Sequence, residues 1–176
     1  MSKRKDVFWS ENEYEKMKEM DIVGPIEFSQ KRKSKQMIEL MPPEEGGKIV
    51  EIGCGSGDLL RQGWIGLDID RAPLAKIKNT CVQGDICHLP FVDEVFDRII
   101  ISYCLSDIEN DTLAIREIYR ILKRNGISLI EVPYNSGLYS VKDKIEGRFR
   151  RYDDGFIDLL TSVGFKILKK KLHGGG

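Results

Sequence analysis

From residue 49 onward the chain alternates short, β-branched apolar runs with stretches whose apolar positions recur at helical spacing. Ile49–Ile52, Ile65–Asp70, Val82–Ile86, Phe96–Ser102, Ile127–Val132 and Lys166–Leu172 are each too short for a packed helix and are predicted strands. Between them, Thr112–Lys123 carries Leu113, Ile115, Ile118, Tyr119 and Leu122 at core-facing helical spacing. Asp111 is its expected N-cap and Asn125-Gly126 its stop. A last helix is predicted from about Gly155 to Ser162, capped by Asp153 or Asp154 and ended at Val163-Gly164-Phe165. Strands joined by crossovers in this way predict an α/β fold, a doubly wound and mostly parallel sheet with helices on both faces.

Residues 1–48 have a different texture and are predicted to form an N-terminal helical cap on the domain of residues 49–176. Ser10 and Glu13 have capping-box spacing, and the helix they start should run to about Met20 before Gly24-Pro25. A second helix is predicted over Phe28–Met41, ending before Pro42-Pro43, with its apolar residues in the later turns. The segment Pro133–Gly147 is expected to be irregular.

The junction after the first strand holds the chemistry. Val50-Glu-Ile-Gly-Cys-Gly-Ser-Gly57 alternates glycines at 53, 55 and 57, where the backbone must approach a ligand closely or adopt dihedrals a Cβ forbids. A dinucleotide loop needs its third glycine five positions after the first, to receive a pyrophosphate. Here that position is Asp58, whose charge repels phosphate. This disfavours a nicotinamide oxidoreductase and favours a nucleoside without phosphates.

That E-x-G-x-G-x-G pattern resembles the first motif of the class I (Rossmann-like) S-adenosylmethionine-dependent methyltransferases. Ile65-Gly-Leu-Asp-Ile-Asp70, Val82-Gln-Gly-Asp-Ile86 with Leu89-Pro-Phe91, Phe96–Ser102, and Ala114–Gly126 before Ile127–Val132 are similar to the motifs that follow in that family, in its order. The resemblance covers residues 49 to 135. It implies S-adenosyl-L-methionine as cofactor, with S-adenosyl-L-homocysteine as product, and transfer of a methyl group to a small-molecule or protein acceptor by in-line displacement. Gly53, Gly55 and Gly57, with Cys54 and Ser56 between them, would let the backbone pass beside ribose and methionine. Glu51 would order the loop and reach toward the cofactor's ammonium. Asp68 would bind the ribose hydroxyls through its two acceptor oxygens, with Ile69 packed on the adenine. Asp85 would take the adenine amino group and Ile86 a backbone contact, while Ser102 and Tyr103 would face the methionine and the transferring methyl.

Two departures from the family are visible. Only Asp58–Gln62 is available for the first crossover helix, enough for one or two turns, so the methionine end should be more exposed there. The family also closes with a seventh, antiparallel strand, whereas here the sequence stops at His173-Gly-Gly-Gly176; either the sheet ends at six strands, with an edge open to a dimer partner, or the C-terminus has been shortened. Phe8, Trp9 and Tyr14 are candidate lid aromatics, and Arg32 or Lys35 a candidate clamp for the cofactor carboxylate. No catalytic residue is assigned; Asp107, Tyr103 and Tyr152 are the candidate acid/base groups. Asn/Asp-Pro-Pro-Tyr is absent from the fourth strand, which argues against a nucleic-acid base or glutamine methylase of the type that carries it.

Composition narrows the picture further. The 176 residues carry 28 basic and 28 acidic side chains, a balance that argues against a general nucleic-acid binder. Residues 49–141 hold 9 basic and 13 acidic side chains, which suits a sulfonium ligand, whereas residues 142–176 hold 9 basic and 5 acidic. Four cysteines (54, 81, 87, 104) without a C-x-x-C pair are expected to be free thiols, and adjacent Cys87 and His88 with Cys81 lack the spacing of a metal site. No apolar run approaches the ~20 residues of a membrane span, so the chain is expected to be cytoplasmic. The alternative to a transferase is a non-catalytic methyltransferase-like module that holds the cofactor or a partner.

Overall fold

The computed structural model describes residues 5–8 (backbone only), 38–39, 47–132, 152 and 155–170. The strands are β1 (Lys5–Phe8), β2 (Ile49–Ile52), β3 (Ile65–Asp68), β4 (Thr80–Gln83), β5 (Phe96–Ser102), β6 (Leu122–Glu131) and β7 (Phe165–Lys169). The helices are α1 (Arg71–Leu74), α2 (Asp111–Ile121) and α3 (Gly155–Val163), with a 3-10 turn at Leu105–Asp107. The strands form one sheet in the order β4-β3-β2-β5-β6-β1-β7, and every pairing in it is parallel. The predicted α/β class and parallel sheet are therefore present.

Period-two alternation divides the core between the two faces of the sheet. Val50, Ile52, Ile99, Ile101 and Ile130 point to the face packed by Ala114, Ile115, Ile118 and Ile121 of α2 and by Phe156 and Leu160 of α3. Ile100, Ile127 and Leu129 point the other way, where Ile38 and Leu59 are buried with them. Tyr119 and Phe165 meet edge to face at 5.1 Å, tying α2 to the start of β7.

Four expectations are corrected. The sheet has seven strands, not six, because Lys5–Phe8 lies between β6 and β7, with Asp6 opposite Ile127 and Lys166. That strand is parallel, so no antiparallel seventh strand is present among the described residues. The same placement takes Phe8 out of a helical lid and puts it in the sheet. The cap of α2 is Asn110, whose side chain accepts from the Leu113 N–H at 3.1 Å, one residue before the expected Asp111. Finally, α2 ends at Ile121 and Leu122 already pairs with Phe96, so Asn125-Gly126 lies within β6 rather than stopping a helix. A register shift between Phe96 and Arg98 accommodates the surplus residues.

The short first crossover forms no helix. Gly57 and Gly63 stand at φ +78° and +83°, and single turns close between them, from Leu60 N–H to Gly57 O and from Trp64 N–H to Arg61 O. Ile38 and Glu39 are helical, within the predicted second helix. The capping box at Ser10, Trp9, Tyr14, Arg32 and Lys35 lie outside the described residues.

Candidate functional site

In an open parallel sheet, ligands bind beyond the carboxyl ends of the strands, where the crossovers diverge. Here the ends of β2, β3, β4 and β5 surround a cleft of about 420 Å³. Gly53, Asp68, Ile69, Asp85, Ile86, Ser102 and Tyr103 line it, joined by Cys104, Asp107 and Ile108. Among the described residues, no lysine, arginine or histidine lines the cleft.

The glycine loop is shaped by its backbone. Gly53, Gly55 and Gly57 stand at φ +73°, +50° and +78°, a region that side chains other than glycine enter at a cost. Gly53 donates to the Leu67 carbonyl at 2.8 Å, so the loop turns directly over the end of β3. A Cβ on Gly53 would stand 2.5 Å from Cys104 Cβ, whereas one on Gly55 would meet nothing within 4 Å among the described residues. Position 55 thus opens onto empty space, the space a closely approaching ligand needs.

Asp68 ends β3 and orients the loop. Its Oδ2 accepts from the Gly55 N–H at 2.7 Å and its Oδ1 from the Asp70 N–H at 3.0 Å. Both oxygens are held by backbone donors and retain lone pairs for a ligand. Ile69, beside it, is 69% exposed, a large apolar side chain left at the mouth of the cleft. Across the cleft, Asp85 Oδ1 accepts from the Cys87 N–H at 2.8 Å and its carbonyl from the His88 N–H at 3.0 Å, closing a turn beyond β4.

At the β5 end, Ser102 donates its hydroxyl to Glu131 Oε2 at 2.7 Å, across a matched pair of strand residues. Glu131 is 2% exposed, and no motif in the sequence marks it, because its partner Ser102 lies on another strand. Tyr103 follows at φ +58°, with its N–H donating to the Glu131 carbonyl at 3.0 Å. A non-glycine residue held there stores about 1–2 kcal/mol of strain, of the kind that clusters at ligand sites.

The predicted residues are not all gathered in the cleft. Cys54 is buried with its Sγ 2.9 Å from where a Gly66 Cβ would be, Ser56 donates to Asp58 at 2.6 Å, and Gly57 faces Ile77. All four cysteines are free, and burial, ahead of nearby acids, pushes the Cys54 and Cys104 thiols up to about 12, so both stay neutral. Tyr152 does not line the cleft: it is buried, its ring lies 4.3 Å from that of Phe156, and its hydroxyl donates to the Leu105 carbonyl at 3.1 Å. Of the three acid/base candidates, Asp107 and Tyr103 remain at the cleft.

Glu51 is the electrostatic centre of the loop. It is 3% exposed, and no hydrogen-bond partner of its Oε2 is present among the described residues. Burial first, then the charges of Asp58 and Asp68, push its pKa from 4.5 up to about 8. The unfolded chain therefore loses this proton near pH 4.5 while the folded chain keeps it, so folding stability falls as pH rises from there to about 8. Glu51→Gln, which mimics the protonated acid, is expected to match the native stability near pH 4.5 and to exceed it by about 2–3 kcal/mol at pH 7. Urea denaturation of the two ligand-free proteins across that range measures the difference.

Comparison with known proteins bears on the family and the fold. Residues 50–130 match the model of the methyltransferase domain family. A demethylmenaquinone methyltransferase of Roseiflexus is 33% identical over 101 residues, covering 49% of this chain and 42% of its own. The ubiquinone/menaquinone biosynthesis C-methyltransferase of Vibrio parahaemolyticus is 30% identical over 147 residues, covering 72% of this chain and 54% of its own. The chain thus spans about half the length of the curated relatives it matches. A SAM-dependent methyltransferase structure from Archaeoglobus fulgidus superposes with a TM-score of 0.66 at 23% identity, over 88% of this chain and 75% of that one.

Proposed function

Because this chain belongs to the methyltransferase domain family and has the class I S-adenosylmethionine-dependent fold, we propose that it transfers a methyl group from S-adenosylmethionine to a small-molecule acceptor. The observation that carries this reading is the cleft itself. A glycine loop at positive φ opens onto Asp68 and Asp85, and the described lining residues are acidic, apolar or neutral polar. Such a lining fits an uncharged nucleoside with a cationic tail and repels phosphate.

In this reading Asp68 holds the ribose hydroxyls, its oxygens already oriented by the Gly55 and Asp70 amides. Ile69 covers one face of the adenine, Asp85 accepts from its amino group, and Ile86 adds backbone contact. Gly53 and Gly55 clear room for the ribose and methionine, while Cys54, Ser56 and Gly57 complete the loop behind them. Ser102 and Tyr103 border the methionine end, and the buried Glu51, protonated in the ligand-free chain, would ionise against the cofactor's ammonium. S-adenosylmethionine, when bound, supplies a methyl group activated by its sulfonium. What these residues contribute is alignment, worth ~7–11 kcal/mol when it replaces a bimolecular encounter. Asp107 is the carboxylate at the cleft suited to take a proton from the acceptor.

The relatives' names favour a quinone-type acceptor, which would enter beside the apolar Cys104 and Ile108. Incubation with methyl-labelled S-adenosylmethionine and a reduced demethylmenaquinone, small amines, bulk protein or RNA tests this. Label in the quinone is the expected result. Label confined to protein or RNA would overturn the acceptor class. Cofactor binding with label in no fraction would instead favour the non-catalytic module.

A further inference from the structure

The loop after β4 brings Asp85 and Ile86 to the cleft, and α2 is what anchors it. Glu117 Oε2 accepts from the Leu89 N–H at 2.9 Å. Arg120 answers from the same helix face: its Nη2 donates to the Leu89 carbonyl at 3.0 Å, and its Nη1 donates to the Phe91 carbonyl at 2.7 Å and to Asp93 Oδ1 at 2.9 Å. The two side chains are fastened to each other, Arg120 Nε and Nη2 each lying 2.7 Å from a Glu117 oxygen. Their side chains are 29% and 18% exposed, so this fork is shielded more than a surface ion pair. The Arg120 hydrogen bond holds the Glu117 carboxyl below its usual range, which keeps the pair ionised.

Leu89 is the link between the fork and the cleft. Its side chain is buried, and both its N–H and its carbonyl are committed to α2. The residue before it, His88, donates its N–H to the Asp85 carbonyl, and Cys87 donates to the Asp85 side chain. A displacement of Leu89 therefore passes through one short turn to the Asp85 carboxylate. Neither Glu117 nor Arg120 lines the cleft.

We propose that Glu117 and Arg120 are positioning residues that fix the Asp85 carboxylate to accept from the exocyclic amino group of a bound purine, and so set the preference for adenine over other bases. This rests on the reading of the cleft as a nucleoside site. Arginine suits the task because its planar fork reaches two carbonyls and a carboxylate at once, which a lysine cannot reproduce.

Calorimetric titration of the full chain with adenosine and with inosine tests the assignment, since inosine replaces the amino donor with a carbonyl. The native chain should prefer adenosine by about tenfold or more, the value of a hydrogen bond to a charged acceptor. Arg120→Ala should reduce that preference to about threefold or less. Glu117→Gln, which keeps an acceptor for Leu89 but loses the ion pair, should fall between. Arg124→Ala, which removes a 3.3 Å contact to Glu94 at the far end of the loop, should leave the preference intact. An unchanged preference in Arg120→Ala and Glu117→Gln would overturn the proposal, as would an equal loss in Arg124→Ala. If Arg120→Ala does not fold, Glu117→Gln decides alone. A native chain that binds neither nucleoside would refute the site reading itself, a result distinct from binding that ignores the fork.

Discussion

Gly53→Ala is expected to destabilise the protein by about 2–5 kcal/mol and to abolish cofactor binding in whatever fraction stays folded. Two costs add at this position. Its φ of +73° charges any L side chain about 1–2 kcal/mol. The new methyl would also lie 2.5 Å from Cys104 Cβ and 2.8 Å from its sulfur, in a segment pinned by the Tyr103 amide to β6. Backbone cannot yield there without moving the strained Tyr103, so overpacking adds about 1–3 kcal/mol. Against a typical total of about 5–15 kcal/mol, much of the margin is gone. Urea denaturation measures the loss. Gly55→Ala is the matched control, because it carries the positive φ without the clash; it should cost only about 1–2 kcal/mol.

Much of this was legible in the sequence, for physical reasons that differ by residue. Gly53, Gly55 and Gly57 were readable because positive φ leaves a composition signature, and all three adopt it. Asp68 is singled out by the family resemblance rather than by a local rule, and the structure sets its carboxylate against the glycine loop, where it accepts from the Gly55 N–H. Local rules failed where tertiary pairing decided the outcome. Asn125-Gly126 is a helix stop by propensity, yet pairing of Leu122 with Phe96 had already ended the helix. Asn110 and Asp111 are equally good caps in sequence, and only the geometry of the turn before α2 chooses Asn110. Lys5–Phe8 carries no strand signal strong enough to compete with its charged surroundings; its place between β6 and β7 depends on two partners more than a hundred residues away. Glu131 and the Glu117–Arg120 fork were invisible for the same reason, since their roles exist only across strands and loops.

Asp68→Ala is expected to weaken S-adenosylmethionine binding about 1,000-fold, or about 4 kcal/mol. Two hydrogen bonds to a charged acceptor account for most of it, at about 1.5–3 kcal/mol each. The remainder comes from the loop, because Gly55 would lose the 2.7 Å acceptor that holds its amide in place. Asp68→Asn separates the two parts: its side-chain oxygen can still accept from Gly55, while the charge and one acceptor are lost. It should bind at an intermediate level. Stability should change less than for Gly53→Ala, since Asp68 is only partly buried.

The most direct measurement is calorimetric titration of the native chain and of Asp68→Ala with S-adenosylmethionine, with NAD as competitor. The account predicts saturable binding at one site in the native chain, no displacement by NAD, and binding lost or reduced about 1,000-fold in the variant. An absence of binding to a folded native chain, or equal affinity in the variant, would contradict it.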